Sequence, residues 1–256
     1  MAEYEGMLGA ALGKEVGKTL TDLDGRFKTV RNAESNLGNL VCDLWQEATG
    51  ADCVILNSGS LRSDVIHPAG VLTRRDMMNV LPMVDSTMVI EVNGKQIHDA
   101  LENGVSMYPK LEGRFPQVSG ITFKFDPSKP AGARIVPGSV TVKGAPLDNG
   151  KQYTLATKEY LAIGKDGFDC LLGAKVIVDA ECGVVLPTVV ANHFFKLEVL
   201  NKFGSKQSTV QAAKNKFMKK ANKAQDHGAG LMARADDGKF AIAPKLEGRI
   251  VNIAEP

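Results

Sequence analysis

The run VILNSGSLRSD, Val54 to Asp64, changes character abruptly. Apolar Val54–Leu56 gives way to Asn57, Ser58, Gly59 and Ser60, and then to Arg62. A connection that needed only to turn could stop at Asn-Ser-Gly. A carboxamide presents donor and acceptor together, and a guanidinium is a rigid fork of donors. The pattern therefore points to an anionic or planar ligand held where a buried strand ends. Arg31, Tyr160 and Asp166 could serve the same chemistry, but residue type alone leaves each open. Arg31 equally suits a salt bridge to Glu34 or Asp43, Tyr160 a core or interface ring, and Asp166, followed by Gly167, a turn.

Metal chemistry finds little material. The histidines are His67, His98, His193 and His227, and only ANHFF around His193 echoes a metal-binding motif. It lacks the neighbouring glycine and acid, and its surroundings read as a helix. His67, His98 and His227 are expected on the surface or in loops. The cysteines Cys42, Cys53, Cys170 and Cys182 show no C-x-x-C, which argues against zinc. Core thiols are expected, with one disulfide open in an oxidising compartment.

The elements that would position these residues follow from periodicity. Leu37, Leu40, Val41, Leu44, Trp45 and Ala48 predict an amphipathic helix over 33–49, stopped by Gly50. A strand is expected at 52–56. A short helix is expected at 74–80, where Thr73 and Asp76 resemble a capping pair. TMVIEVNGKQIHDALENGV reads as a strand, an Asn93-Gly94 turn and a helix. VSGITFKFD reads as one half-buried strand with Ile121, Phe123 and Phe125 on one face, and RIVPGSVTVKGAPLD as two short strands around Pro137-Gly138. A strand leads into the loop at Gly164–Phe168, a helix follows Pro187, and KLEGRIVNI closes the chain as a strand. Interspersed helices and strands make the class mixed α/β. At 256 residues, one large domain or two small ones are expected. The 31 basic and 29 acidic residues leave a net charge of +2, too even for a dedicated nucleic-acid binder. No run of 18 apolar residues offers a helical membrane span.

Taken together, VRNAESNLGNLVCDLW, VILNSGSLR, VLPMVDSTMVIEVNGKQI, and the pair GRFPQVSGITFKFD with LATKEYLAIGKDGF resemble, in order and spacing, the C-terminal domain of the 5'-nucleotidase family. That domain is the substrate-binding half of a two-domain metallophosphoesterase. The resemblance covers roughly residues 18–200, and LEGRI matches the usual finish. It implies a mixed α/β (α+β) fold of layered helices and mixed sheets that binds a nucleoside 5'-monophosphate or nucleoside. It also implies roles for named residues. Asn57 would bond the base, Gly59 would turn with positive φ, Arg31 and Arg62 would face ribose and phosphate, Asp166 would accept from ribose hydroxyls, and Tyr160 would stack on the base. The chain departs from the family where Leu81-Pro82-Met83 replaces Leu-Pro-Phe. Met83 can lie against a base but cannot stack as a plane. Lys165 stands where glycine is common, and is expected to point to solvent.

The resemblance places no cofactor in this chain. It places two divalent metal ions in an N-terminal metallophosphatase domain, which is the expected partner, so the isolated chain is expected to be inactive. Residues 1–20 resemble the end of the helical interdomain linker, residues 21–256 the substrate-binding domain, and 202–240 a lysine-rich insertion. Within it, Lys202, Lys206, Lys214, Lys216, Lys219, Lys220 and Lys223 read as a solvated helix, with an anionic surface or nucleic acid as the sharper alternative. Relatives are often secreted or periplasmic, but no charged-then-apolar leader is visible. Two other readings are a non-catalytic nucleotide-binding module and a domain of a nucleotide-sugar or cyclic-nucleotide hydrolase.

Overall fold

The computed structural model of the chain describes residues 9–203 and 229–254. In chain order its strands are β1 (Glu15–Thr19), β2 (Leu23–Asp24), β3 (Cys53–Asn57), β4 (Ile66–His67), β5 (Gly70–Thr73), β6 (Thr87–Asn93), β7 (Pro116–Ser119), β8 (Ile121–Phe125), β9 (Thr141–Val142), β10 (Ala145–Pro146), β11 (Gln152–Lys158), β12 (Lys175–Val178), β13 (Ala233–Arg234), β14 (Phe240–Ala241) and β15 (Ile250–Asn252). A mixed five-stranded sheet, β12-β6-β11-β3-β7, forms the centre. A four-stranded sheet, β10-β9-β8-β15, stands beside it.

Strand β3 is buried along its whole length and divides the core by alternation. Val54 and Leu56 enter one apolar cluster with Trp45, while Cys53 and Ile55 enter another with Phe123. The first cluster is covered by the helices Asn36–Thr49 and Leu186–Phe203, the second by the helix Gly94–Val105 and the smaller sheet. The helix predicted over 33–49 begins instead at Asn36, because the Ser35 hydroxyl accepts from the Gly38 amide and caps it. Residues just before it are held by Gln117, whose Nε2 donates to the Val30 and Ala33 carbonyls. Gly50 ends the helix in the left-handed region at φ 68°.

Other boundaries differ from expectation for local reasons. Asn93-Gly94 is no turn. The Asn93 carboxamide accepts from the Gln96 amide, and the Gln96 side chain accepts from the Asn93 amide, so β6 runs directly into the helix Gly94–Val105. VSGITFKFD is two strands in different sheets. Gly120, at φ 71°, makes the corner, where an added Cβ would lie 2.4 Å from the Asp52 carbonyl oxygen. Of the two short strands expected around Pro137-Gly138, both lie beyond it, as β9 and β10 on either side of Lys143-Gly144, whose φ values of 52° and 75° suit the tight turn between them. The helical reading of the lead-in fails at Glu15–Thr19, which pairs with β5, although residues 9–12 are helical. His67 is buried rather than a surface residue, and Cys182 is exposed rather than a core thiol. All four cysteines are free. His227 and the named lysines Lys206, Lys214, Lys216, Lys219, Lys220 and Lys223 lie outside the described residues.

The finish is locked by buried charge. Arg249 is fully buried, donating Nη1 and Nη2 to the Asp43 carboxylate at 2.7 and 2.8 Å and Nη1 to the Val118 carbonyl at 2.9 Å. Glu34 accepts from the Glu247 and Arg249 amides and from Asn39. These partners are the reason neither acid serves Arg31. Asp43→Ala would strand a guanidinium in the core and should lower the unfolding free energy by about 3–5 kcal/mol in urea denaturation.

Burial lowers the pKa of both His67 and His193, with Asp76 opposing it for His67 and the Leu231 carbonyl opposing it for His193. The folded state therefore binds fewer protons than the unfolded chain. Stability from this source is complete above the ordinary imidazole value of about 6.5 and falls as pH drops below it. Urea midpoints measured down from neutral pH should show that loss, and His193→Gln should make it shallower.

Candidate ligand-binding site

Strands β3 and β11 pair in parallel, Leu155 opposite Cys53 and Ala156 opposite Val54. Their last residues, Asn57 and Lys158, therefore emerge at the same edge of the sheet. Asn57 is nearly buried there at 5% exposure. Its Nδ2 donates to Asp166 Oδ2 at 3.1 Å, and its Oδ1 accepts from the Ser60 hydroxyl at 2.9 Å. The Tyr160 hydroxyl donates to the other oxygen, Asp166 Oδ1, at 3.0 Å. Asp166 itself sits at φ 54°, a left-handed backbone that is uncommon outside glycine. Its carbonyl accepts from Asn103 Nδ2 at 3.0 Å, and Asn103 Oδ1 accepts from Arg114 at 3.2 Å. The turn chemistry and the acceptor role of Asp166 thus coexist: the strained turn aims a carboxylate at Asn57 and Tyr160.

The arginines assemble on an aromatic ring. Arg31 ends the short helix Phe27–Val30, with its guanidinium carbon 4.0 Å from the Phe27 ring centroid. The Arg62 guanidinium carbon lies 5.9 Å from the same centroid. Arg31 Nη1 donates to the Leu111 carbonyl at 3.0 Å, while its buried Nε has no partner. Neither arginine forms an ion pair among the described residues. Burial, and then the charge of Arg62, lowers the Arg31 pKa, while Asp64 and Glu112 raise it. Two cations beside one ring, with spare donors, suit an anion.

The segment Leu111–Phe115 links the clusters. Its Leu111 carbonyl meets Arg31, and its Gly113 carbonyl accepts from the Gly59 amide at 2.9 Å. Gly59 does not take the positive φ expected of it. Its lack of a side chain permits close approach instead, since a Cβ there would lie 3.2 Å from Gly113 Cα and 3.3 Å from Asn57 Nδ2. Met83 is 39% exposed and Tyr160 40% exposed. The segment bearing Met83 reaches the cluster through Asp85, ion-paired to Lys158, and through the Ser86 carbonyl, which accepts from the Glu159 amide at 3.0 Å. Lys165 is exposed, as expected.

Sequence reasoning missed Phe27, Ser60, Asp85, Asn103, Arg114 and Lys158. Residue type and spacing singled out none of them, because the partners that give them their place lie far away in the chain. A separate, mostly apolar groove of about 370 Å³, lined by Leu37, Leu40, Met77, Leu81, Val190 and Phe194 among others, contains none of these site residues.

Residues 15–173 match the family model described as 5'-nucleotidase, C-terminal domain. The chain belongs to this family. A trifunctional nucleotide phosphoesterase protein, YfkN, of Bacillus subtilis is 30% identical over 250 residues, 95% of this chain and 16% of that protein. A 5'-nucleotidase of Diplobatis ommata is 30% identical over 209 residues, 75% of this chain and 36% of that protein. The crystal structure of a 5'-nucleotidase precursor from Thermus thermophilus superposes with a TM-score of 0.74 at 27% identity, covering 100% of this chain and 42% of that one. The 5'-nucleotidase C-terminal domain is thus found in relatives that are much longer than this chain.

Within this 5'-nucleotidase domain the Tyr160–Asp166 bond is directly measurable. That hydrogen bond, then burial and the charges of Asp166 and Asp85, raises the Tyr160 phenol pKa above its ordinary value. Asp166→Asn should bring it back toward the ordinary range, read by ultraviolet titration with Tyr160→Phe as the assignment control.

Proposed function

We propose that this domain binds the base and ribose of a nucleoside 5'-monophosphate for a 5'-nucleotidase-type phosphoric monoester hydrolase. Asn57 bonds the base edge, and Tyr160 and Met83 lie against its faces. Asp166 takes the ribose hydroxyls, Arg31 and Arg62 face the anionic end, and Gly59 keeps the floor low. The observation that supports this most is the joining of Asn57, Tyr160 and Asp166 in one hydrogen-bonded cluster at the shared end of β3 and β11. An amide for a base edge, a ring for a π-face and a carboxylate for a diol are the groups a nucleoside needs.

The hydrolytic step belongs, in this proposal, to an N-terminal metallophosphatase domain of the whole protein. Two divalent ions there would activate water and neutralise the phosphate. Among the described residues of this chain, no three His, Cys, Asp or Glu side chains gather in a group that could hold a metal ion. The contribution of this chain is to bind and orient. Its proposed localisation, secreted or periplasmic, rests on family resemblance alone. A second reading is a wider nucleotide phosphoester substrate range. It is favoured by Met83, a flexible side chain where a second ring would select more tightly, and by the name of the trifunctional relative.

AMP titrated into the chain by calorimetry should give saturable heat. Asn57→Ala and Asp166→Ala should each weaken binding by about tenfold or more, in line with loss of a hydrogen bond to a buried or charged group. Equal affinity in all three proteins would remove these residues from the site. Metal-dependent phosphate release by the pure chain would overturn the division of labour.

A further inference from the structure

Lys158 is the buried cation that the nucleotide reading leaves unused. Its side chain is 4% exposed, yet it carries an ammonium at the very end of β11. A lysine this buried requires partners. It has an ion pair with Asp85, whose side chain is 34% exposed, and a bond to the Ser60 hydroxyl at 2.9 Å. The Tyr160 ring centroid lies 5.6 Å from its Nζ.

The direction of each hydrogen bond is fixed by chemistry. An ammonium can only donate, so Ser60 accepts from Lys158 and directs its single proton to Asn57 Oδ1. A carboxylate can only accept, so Asn57 Nδ2 and the Tyr160 hydroxyl both point at Asp166. One connected chain therefore joins Asp85, two residues beyond Met83, through Lys158, Ser60, Asn57 and Asp166 to Tyr160, polarised from the Lys158 ammonium as donor to the Asp166 carboxylate as acceptor. The segment that bears Met83 is anchored at its ends by backbone, through the Arg62 amide to the Val80 carbonyl at 3.0 Å and through the pairing of Thr87 with Lys158, and between those anchors the Asp85–Lys158 ion pair ties it to the cluster through side chains.

We propose that Lys158 is a positioning residue that sets the spacing between the wall carrying Met83 and the Asn57 floor, and thereby the selectivity of the site for a base. The proposal rests on the nucleotide reading for its ligand but not for its mechanics. Removing the ammonium frees Asp85 to turn toward water, so Lys158→Met loosens the wall without stranding a charge. Asp85→Asn does the opposite: it leaves an ammonium buried and poorly compensated, and is the more destabilising of the two.

The test compares AMP with ribose 5-phosphate, which carries an anomeric hydroxyl in place of the base, alongside hydrogen exchange of residues 81–86 without ligand. The unsubstituted chain should prefer AMP by about tenfold or more, and Lys158→Met should reduce that preference to about twofold while leaving ribose 5-phosphate affinity unchanged. General damage to the fold would weaken both ligands together. Exchange in 81–86 should rise by about fivefold or more in Lys158→Met, with the helix Gly94–Val105 as the unaffected control. The double variant Lys158→Met, Asp85→Asn should unfold at a higher denaturant concentration than Asp85→Asn alone. An AMP preference retained in Lys158→Met, or unchanged exchange in 81–86, overturns the proposal. No AMP preference in the unsubstituted chain overturns the nucleotide reading instead, and the exchange measurement then decides the positioning role by itself.

Discussion

The parallel pairing of β3 with β11 is the constraint on which the site depends. Among neighbours in the central sheet, every other pairing is antiparallel, and an antiparallel partner would carry its end to the opposite edge. Because these two strands run the same way, residues a hundred positions apart finish side by side. Asn57 then meets Ser60 locally and Asp166 across the sheet edge, while Lys158 arrives within reach of Ser60. Polar groups at the carboxyl ends of parallel strands are a recurrent answer to ligand binding, because helices cover the faces and leave the ends open.

Two kinds of polar network can be told apart in the chain, one that holds the fold and one at the candidate site. Arg249, Asp43, Glu34 and Gln117 are buried, and their donors are met by carboxylates or backbone carbonyls. They fix the finish of the chain against the helix Asn36–Thr49. At the candidate site the same residue types are used differently. Arg31 keeps an unpartnered Nε, Asp166 is held in a left-handed backbone by Asn103, and Tyr160 stays half exposed. An unpartnered donor and a left-handed turn thus stand together at the candidate site. The core around Trp45 and the core around Phe123 supply the rigidity that such an arrangement requires.

Much of this was legible in the sequence, for reasons that particular residues make plain. The helix Asn36–Thr49 is announced by its apolar stripe, and β3 by its uninterrupted apolar run. The residues of the Asn57–Tyr160–Asp166 cluster could be nominated because each has a motif around it. What sequence could not show was pairing across long separations. Glu34 and Asp43 looked like partners for Arg31, but both are taken by a finish two hundred residues away. Gly59 looked like a positive-φ glycine, and only the approach of Gly113 reveals why a side chain is excluded. Nothing in the sequence marked Lys158, because its partners Asp85 and Ser60 are distant in the chain. Boundaries failed where one side chain reached a backbone group, as at Asn93 with Gln96, or where a corner needed glycine, as at Gly120.

The meeting of Gly59 with Gly113 has a consequence for how the candidate site can diversify. There, main chain faces main chain, and no side chain intervenes on either strand of the contact. A surface of that kind has almost no alphabet: nearly any replacement pushes two backbones apart, so its contour is inherited rather than tuned. Variation at the candidate site is thereby left to positions such as Met83 and Tyr160, whose exposed side chains can be exchanged while the Gly59–Gly113 contact stays the same.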